Sequence, residues 1–216
     1  MKNKKGIFIT VEGGEGAGKS THSLFLKNYF DKQSFNTILT REPGGTKLAE
    51  NIRRILLNPK SKVFPLSELF LYEAARVQHI QEIISPALKD KKIVICDRFT
   101  DATIAYQGYG RKIDLSIIEK LNEIASFGIK PDLTIYLDIS PKFGLKRAKI
   151  LNKDSYGLSG DRIERESALF HKNVRKGYLE QSKKEPKRIK VVKVKETPEQ
   201  TQAIIREIIK KCLIMY

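Results

Sequence analysis

A glycine-rich segment near the start of the chain has the pattern G-x-x-x-x-G-K-[ST]. The predicted phosphate loop consists of Gly13, Gly14, Glu15, Gly16, Ala17, Gly18, Lys19 and Ser20, followed by Thr21. Glycines let successive backbone N–H groups converge on phosphate oxygens, and the N-terminus of a following helix adds a favourable dipole. Lys19 can reach the β- and γ-phosphates of ATP, and Ser20 can offer its hydroxyl to Mg²⁺. The alternative is a tight strand-to-helix turn that binds no ligand.

An aspartate and an arginine follow a second apolar run. Residues 93–96 lead directly into Asp97 and Arg98. A carboxylate at the end of a strand beside the phosphate loop can hold Mg²⁺ directly or through water. An apolar strand followed by aspartate is also typical of a helix N-cap, so the predicted Mg²⁺ site at Ser20 and Asp97 depends on the pairing with the loop. Arg98 would direct its guanidinium, which can form two hydrogen bonds to one phosphate, into the same cleft. This suits an enzyme that brings two anionic phosphates together.

Short β-branched runs alternate with longer helical patterns along the chain. The clearest strand candidates are residues 6–11, 92–96 and 133–137, and weaker ones lie at 36–40 and 188–194. The three clear candidates are nearly continuous apolar runs, as expected for strands covered on both faces. The alternation predicts an α/β fold with a parallel sheet.

Two segments have the apolar spacing of helices. They are residues 66–88 and the segment around Ile204 to Ile209. Residues 152–162 are polar and interrupted by glycine, which predicts a mobile loop. We expect a single P-loop domain over residues 1–216, with a mobile lid at about 147–162.

Length and composition limit the class of protein. A chain of 216 residues with 40% hydrophobic composition can enclose a full core. Cys96 and Cys212 have neither zinc-site nor redox-pair spacing, which favours a reducing cytoplasm. The apolar run after the basic N-terminus is too short for a secretory signal, and no stretch approaches the ~18 apolar residues of a membrane span. We expect a cytoplasmic protein without a membrane partner.

The net charge of +16 is compatible with two kinds of anionic partner, nucleic acid and nucleotides. Much of the excess lies in lysine-rich stretches such as residues 183–188, which are usually solvated surface. No aromatic-interleaved basic motif or helix-turn-helix spacing accompanies the charge. We therefore expect no dedicated nucleic-acid site.

Five further motifs stand in order along the chain. They are Thr40-Arg41-Glu42-Pro43-Gly44-Gly45, Ala75-Arg76, Asp97-Arg98-Phe99, Ala105-Tyr106-Gln107-Gly108 and Asp161-Arg162-Ile163-Glu164. With these motifs, the chain resembles the bacterial thymidylate (dTMP) kinases from Gly6 to about Lys211. The resemblance implies transfer of the γ-phosphoryl group of ATP to dTMP with Mg²⁺. It also implies a three-layer P-loop NTPase-type fold, with a five-stranded parallel sheet flanked by helices and a short lid.

The resemblance further implies which residues recognise the acceptor base. Tyr72 would stack on thymine, where Phe is common in the family, and Arg76 would donate to thymine O4. Thr103 and Gln107 would lie along the base edge. The alternatives are that Tyr72 packs in the core and that Arg76 is a surface cation.

Other matching residues would handle the acceptor sugar and phosphate. Arg98 and Arg53 would clamp the acceptor phosphate, and Glu42 would organise these two cations. Glu15 would turn toward the acceptor sugar or the phosphate cations. Tyr106 would lie under the sugar, where it would exclude a ribose 2′-hydroxyl.

The phosphate loop has no basic residue besides Lys19, so another segment must supply a cation for the transferring group. We expect Arg147 and Lys149 to do so, with Arg162 next and Lys153 solvated. Lysines stand at 149 and 153 where lids of the family often use arginine, and the loop is longer than a compact lid. Lysine lacks the planar fork of arginine.

Two other functions remain open at this point. One is another nucleoside or nucleotide kinase of the same fold, such as a deoxynucleoside or UMP/CMP kinase, because a phosphate loop fixes only the donor side. The other is a basic P-loop protein that binds nucleic acid. Members of the family are commonly dimers packed through helices, which leads us to expect a homodimer.

Overall fold

The computed structural model describes residues 5–151 and 160–213. The strands are β1 (Ile7–Gly13), β2 (Thr37–Arg41), β3 (Ile93–Asp97), β4 (Leu133–Asp138) and β5 (Ile189–Lys193). The α-helices are α1 (Lys19–Asp31), α2 (Lys47–Leu57), α3 (Pro65–His79), α4 (Ser85–Lys89), α5 (Thr100–Thr103), α6 (Leu115–Ser126), α7 (Pro141–Leu151), α8 (Ala168–Lys184) and α9 (Pro198–Cys212). Among the described residues, no helix is long and apolar enough to cross a membrane.

The five strands form one parallel sheet in the order β2-β3-β1-β4-β5. The α/β prediction is therefore confirmed, and each predicted strand lies within one or two residues of an observed one. The strands β1, β3 and β4 are buried almost throughout, as their continuous apolar runs indicated. The weaker candidates became the two edge strands, β2 and β5.

Helices cover both faces of the sheet, so the molecule has three layers. Alternation along β1 sends Ile9 toward the helices α1 and α9, where it packs with Leu26 and Ile205. Phe8 points to the opposite face and packs with Ile80 and other residues that follow α3. Because β1 is central, its C-terminal end and the phosphate loop lie between the two helical layers.

The predicted helix over residues 66–88 is not one regular α-helix. The α-helix α3 ends at His79, a π-helical turn occupies Ile80–Ile84, and α4 continues to Lys89. A second π-helical segment, Ile104–Gly110, follows α5. Such π turns often occur at functional sites, and periodicity alone does not indicate them.

Candidate active site

The phosphate loop connects the end of β1 to the start of α1. Gly16 and Gly18 have φ angles of 65° and 88°, in the left-handed region that glycine adopts without strain. A Cβ on Gly16 would lie 2.0 Å from the carbonyl oxygen of Gly144 on α7, so the loop and α7 meet backbone to backbone. The Lys19 ammonium donates a hydrogen bond to the Gly14 carbonyl at 3.0 Å. Burial, reinforced by Arg98, lowers the pKa of Lys19 below its usual value.

The two residues predicted to hold Mg²⁺ contact each other. Ser20 Oγ donates to Asp97 Oδ2 at 2.6 Å, because β3 lies beside β1 and ends at the level of the loop. A hydroxyl and a carboxylate oxygen are hard donors of the kind that Mg²⁺ takes, together with water and substrate phosphates. The donor set therefore fits this ion.

Arg98 reaches the phosphate loop from the end of β3. Its φ of 73° is unusual for a residue with a side chain, and its N–H donates to the Val11 carbonyl at 3.1 Å. The guanidinium donates to Glu15 at 2.7 Å and to the Gly13 carbonyl at 3.1 Å. It also lies 4.7 Å from the centre of the Tyr106 ring.

Glu15 is held by cations and by a phenol. Tyr106 Oη donates to Glu15 Oε1 at 2.7 Å. Burial alone would raise the pKa of Glu15, but Arg98, Lys19 and Tyr106 outweigh it and lower the pKa to about 2. Glu15 is therefore a carboxylate at neutral pH, and it fixes the position of Arg98.

Two adjoining cavities surround these residues. One, with Lys19 and Ser20 in its wall, lies over the phosphate loop. The other encloses about 550 Å³ of space not filled by atoms, part of it open to solvent, and is lined by residues that include Tyr72, Arg76 and Gln107. The walls of both cavities include Glu15, Glu42, Arg53, Arg98 and Asp161.

Arg53 is positioned from α2. Its guanidinium donates to the Pro43 carbonyl at 3.0 Å. Burial, with the neighbouring charge of Arg41, lowers the pKa of Arg53. A cation at this position would be stabilised by a bound anion, which is consistent with the predicted phosphate contact.

Arg76 is almost fully enclosed, with 2% of its surface exposed. It donates to Glu42 at 2.9 Å, to Glu73 and Asn122 at 2.7 Å each, and to Thr103 at 2.9 Å. These contacts rule out the alternative in which Arg76 is a surface cation. They also fix its guanidinium in the wall of the 550 Å³ cavity.

The prediction that Glu42 organises Arg98 and Arg53 is not what the structure shows. Glu42 Oε2 accepts from Arg76, and Oε1 lies 3.1 Å from His79 Nδ1. Burial would raise the pKa of Glu42, but Arg76 and His79 lower it below the usual value. The difference arises because α3 brings Arg76 and His79, one turn apart, onto the buried carboxylate.

Gln107 lies in the second π-helical segment, and its side chain is buried. Its Nε2 donates to Glu68 Oε1 at 2.7 Å. Tyr72 lies on α3 one turn after Glu68 and lines the same cavity as Gln107. Burial raises the pKa of Tyr72 above its usual value, so its hydroxyl stays protonated. The described residues offer this hydroxyl no hydrogen-bond partner.

Comparison with known proteins gives a single answer. The model of the family described as thymidylate kinase matches residues 11–205. The chain is 47% identical to a thymidylate kinase of Geotalea uraniireducens, over 93% of this chain and 94% of the relative. It is 51% identical to that of Geotalea daltonii, over 87% and 88%. The chain belongs to the thymidylate kinase family.

A solved structure supports the same assignment. The crystal structure of thymidylate kinase from Ehrlichia chaffeensis superposes with a TM-score of 0.77 at 35% identity. The match covers 95% of this chain and 99% of that one. The overall fold is therefore that of a thymidylate kinase along nearly the whole chain.

The predicted lid of this thymidylate kinase family member is only partly described. Arg147 and Lys149 lie on the last turns of α7, exposed, on either side of the buried Ala148 that faces the phosphate loop. Arg147 is close enough to His22, whose pKa is lowered mainly by burial, to lower it further. Lys153 lies outside the described residues.

Arg162 does not stand where the sequence analysis expected it. Its Nε donates to the Leu56 carbonyl at 2.7 Å, and its Nη2 lies 2.6 Å from Glu68 Oε2. A buried carboxylate attracts a neighbouring cation strongly, because water does not screen the pair. Arg162 therefore contacts the Leu56 carbonyl and Glu68, and it does not line the cavity over the phosphate loop.

Sequence reasoning missed several residues of the site. These are Glu68, Glu73, His79 and Asn122. One signal was available, because Glu68, Tyr72 and Arg76 are spaced four residues apart and share a helix face. A glutamate within an apolar helical pattern indicates a buried charge that needs a partner. Asn122 gave no such signal.

Proposed function

We propose that this chain phosphorylates dTMP to dTDP with ATP and Mg²⁺, a step in the synthesis of dTTP. The observation that carries the proposal is that the two adjoining cavities share several charged residues in their walls. A triphosphate over Lys19 and a monophosphate in the 550 Å³ cavity would meet at Arg53, Arg98 and Glu15. Membership of the thymidylate kinase family supports the same acceptor.

On the donor side, the loop residues 13–21 would bind the ATP phosphates. Lys19 would exchange its bond to the Gly14 carbonyl for a phosphate oxygen. Ser20 and Asp97 would hold Mg²⁺. A bound Mg²⁺ would neutralise part of the charge on the phosphate oxygens.

On the acceptor side, Arg98 and Arg53 would bind the phosphate of dTMP. Tyr72 would stack on the base, Arg76 would donate to O4, and Thr103 and Gln107 would line the base edge. An oxygen of the acceptor phosphate forms a bond to the γ-phosphorus, while the bond from that phosphorus to the bridging oxygen of ADP breaks. The residues supply positioning and charge, since phosphoryl transfer needs no protein nucleophile.

The test is an assay of ADP release with dTMP, UMP or CMP as acceptor, and with DNA or RNA in place of a mononucleotide. We expect release with dTMP to exceed that with UMP or CMP, and nucleic acid to have no effect. Lys19→Ala and addition of EDTA should each remove most of the turnover. A stronger response to UMP or CMP would assign the chain to another nucleotide kinase, and stimulation by nucleic acid alone would favour a nucleic-acid-dependent NTPase.

We also propose that two copies of the chain associate. Exposed apolar side chains lie one or two turns apart on three neighbouring helices, α2, α3 and α6. They are Leu48, Ile55, Leu66, Phe70, Ile117 and Ile124, here called the apolar helix face. Exposed apolar patches of this kind on a monomer typically mark an interface.

The proposed location is the cytoplasm. Its support is chemical: Cys96 is a buried thiol and Cys212 an exposed one, and exposed thiols persist in reducing compartments.

A further inference from the structure

We propose that Glu68 is a positioning residue for base selection: it fixes the amide of Gln107 so that its oxygen faces the acceptor cavity. This inference rests on the proposed function, because it concerns the base of the acceptor nucleotide. Glu68 lies on α3 and is fully buried. The route from Glu68 to the base therefore passes through one hydrogen bond to Gln107.

Glu68 is an ionised carboxylate in this setting. Arg111 donates to both of its oxygens, at 3.0 and 2.9 Å, and Arg162 Nη2 lies 2.6 Å from Oε2. Burial would raise the pKa of Glu68, but the two arginines and Gln107 lower it below its usual value. An ionised carboxylate only accepts hydrogen bonds. It cannot donate to an amide oxygen.

The orientation of the Gln107 amide follows from that charge. With Oε1 turned to Glu68, two acceptors would face each other in a buried place, which costs the desolvation of both groups. With Nε2 turned to Glu68, the bond of 2.7 Å forms. Oε1 is then left as an acceptor, and among the described residues none donates to it. Gln107 lines the 550 Å³ cavity, where a ligand can supply the missing donor.

Arg76 is a hydrogen-bond donor in the same cavity, in contrast to the acceptor oxygen of Gln107. A guanidinium has five N–H donors and no acceptor. Four of these donors are engaged with Glu42, Glu73, Asn122 and Thr103. One Nη2 hydrogen is left. The cavity therefore offers an obligatory donor at Arg76 and, through Glu68, an obligatory acceptor at Gln107.

That pair of groups discriminates between pyrimidines. Thymine and uracil carry an acceptor at O4 next to a donor at N3–H, whereas cytosine carries donors at N4 and an acceptor at N3. A thymine base can satisfy Arg76 and Gln107 together. A cytosine base leaves donor against donor at Arg76 and acceptor against acceptor at Gln107. If Gln107 could rotate its amide, the second mismatch would disappear, and Glu68 prevents that rotation.

The variant Glu68→Gln tests the inference. A neutral amide at position 68 can either accept from or donate to Gln107, so both orientations become accessible. We expect the ratio of kcat/KM for dTMP to kcat/KM for dCMP to fall by about 10-fold or more. The KM for ATP should stay within about 2-fold, because Glu68 does not line the donor cavity. A folded Glu68→Gln protein with the parental ratio would overturn the inference.

Two control variants separate orientation from general support. Arg111→Lys weakens the ion pair to Glu68 but keeps the carboxylate, so it should leave the dTMP to dCMP ratio near that of the parent. In a Gln107→Ala background, Glu68→Gln should not change the ratio further, since the amide that it orients is gone. An equal loss of discrimination in that background would show that Glu68 acts by another route, and would also overturn the inference.

A measurement on the parent protein covers the case in which Glu68→Gln does not fold. The side-chain amide protons of Gln107 can be assigned in an NMR spectrum by their loss in Gln107→Ala. If Nε2 faces Glu68 before and after binding, the nuclear Overhauser contacts between these protons and the Glu68 side chain should persist when dTMP is added. Loss of those contacts on binding would show that the amide turns toward the base, against the inference. If the parent protein does not phosphorylate dTMP at all, the proposed function fails, which is a distinct result.

Discussion

Tyr106 combines a ring and a hydroxyl that have separable roles. The hydroxyl holds Glu15, and the ring lies against Arg98. We expect Tyr106→Ala to improve ribothymidine monophosphate relative to dTMP by about 10- to 100-fold, because removing the ring removes a clash with the 2′-hydroxyl. Tyr106→Phe keeps the ring and should leave that ratio unchanged. The kcat/KM values for both nucleotides decide the matter, and an equal change in both variants would assign the selection to the hydroxyl.

Glu12 gives the site a pH-dependent stability. Its oxygens accept from the Phe99 N–H and the Tyr178 hydroxyl, at 2.7 Å each. Burial, with the charge of Asp101, raises its pKa from 4.5 to about 8. The folded carboxyl thus binds its proton more tightly than the unfolded one. The contribution of this group to the free energy of unfolding is largest below about pH 4.5 and decreases as the pH rises toward 8.

The variant Glu12→Gln, which mimics the protonated acid, should flatten that dependence. Its Tm relative to the parent should rise between pH 5 and pH 8.5, because the parent loses roughly 4 kcal/mol of stability from this group over that range, or roughly 8–16 °C. Glu15→Gln is the matched control with opposite sign. The pKa of Glu15 is lowered to about 2, so the stability that it supplies is present above pH 4.5 and lost on acidification. A constant difference in Tm between Glu12→Gln and the parent would contradict the assignment.

At the scale of elements, α7 connects the phosphate loop to the predicted lid. Gly144 allows α7 to touch the loop backbone, since a Cβ there would lie 2.3 Å from the Glu15 carbonyl oxygen. Three residues later Arg147 is exposed and forms no ion pair within the described part of the chain. We propose that a cation in this position approaches the transferring phosphate when the predicted lid closes over both substrates.

We therefore expect Arg147→Ala to lower kcat by about 10²-fold or more, with little change in the equilibrium affinity for ATP. Lys146→Ala removes a neighbouring exposed charge from a different side of α7 and serves as the matched control. Single-turnover kinetics measure the transfer step itself. If Arg147→Ala and Lys149→Ala both transfer phosphate at the parental rate, Arg53 or Arg98 must serve donor as well as acceptor, since both line the two cavities.

At the scale of the whole molecule, the apolar helix face predicts self-association. Phe70 lies on α3 with 53% of its surface exposed. We expect the parent protein to be a dimer by light scattering coupled to size exclusion, and Phe70→Asp to shift it to the monomer, because a charge would be buried at the interface. Phe143→Asp alters a phenylalanine on α7 that is even more exposed, at 65%, and lies away from that face, so it should leave the dimer intact. A monomeric parent would contradict the proposal.

The local parts of this protein were determined by the sequence itself. The phosphate loop is contiguous, and its glycines, lysine and serine are placed by neighbours in the chain. Continuous apolar runs indicate the buried strands, because a strand covered by helices on both faces buries the side chains of both its faces. Asp97 could be assigned to the loop because parallel strands end at the same edge of a sheet. In each case the residues concerned either are close together in the chain or are brought together by one simple rule of sheet topology.

The partners of the buried charges were decided only by the tertiary structure. Arg76 meets Asn122 on α6, and Glu68 meets Gln107 and Arg162, which lie 39 and 94 residues further along the chain. The sequence shows that a buried charge needs a partner, because its desolvation is costly. Which partner it finds depends on how the helices pack and on where the π-helical segment Ile104–Gly110 turns Gln107 inward. For this reason Glu42 and Arg162 were assigned to the wrong partners, and only packing shows that Glu68 controls the orientation of Gln107.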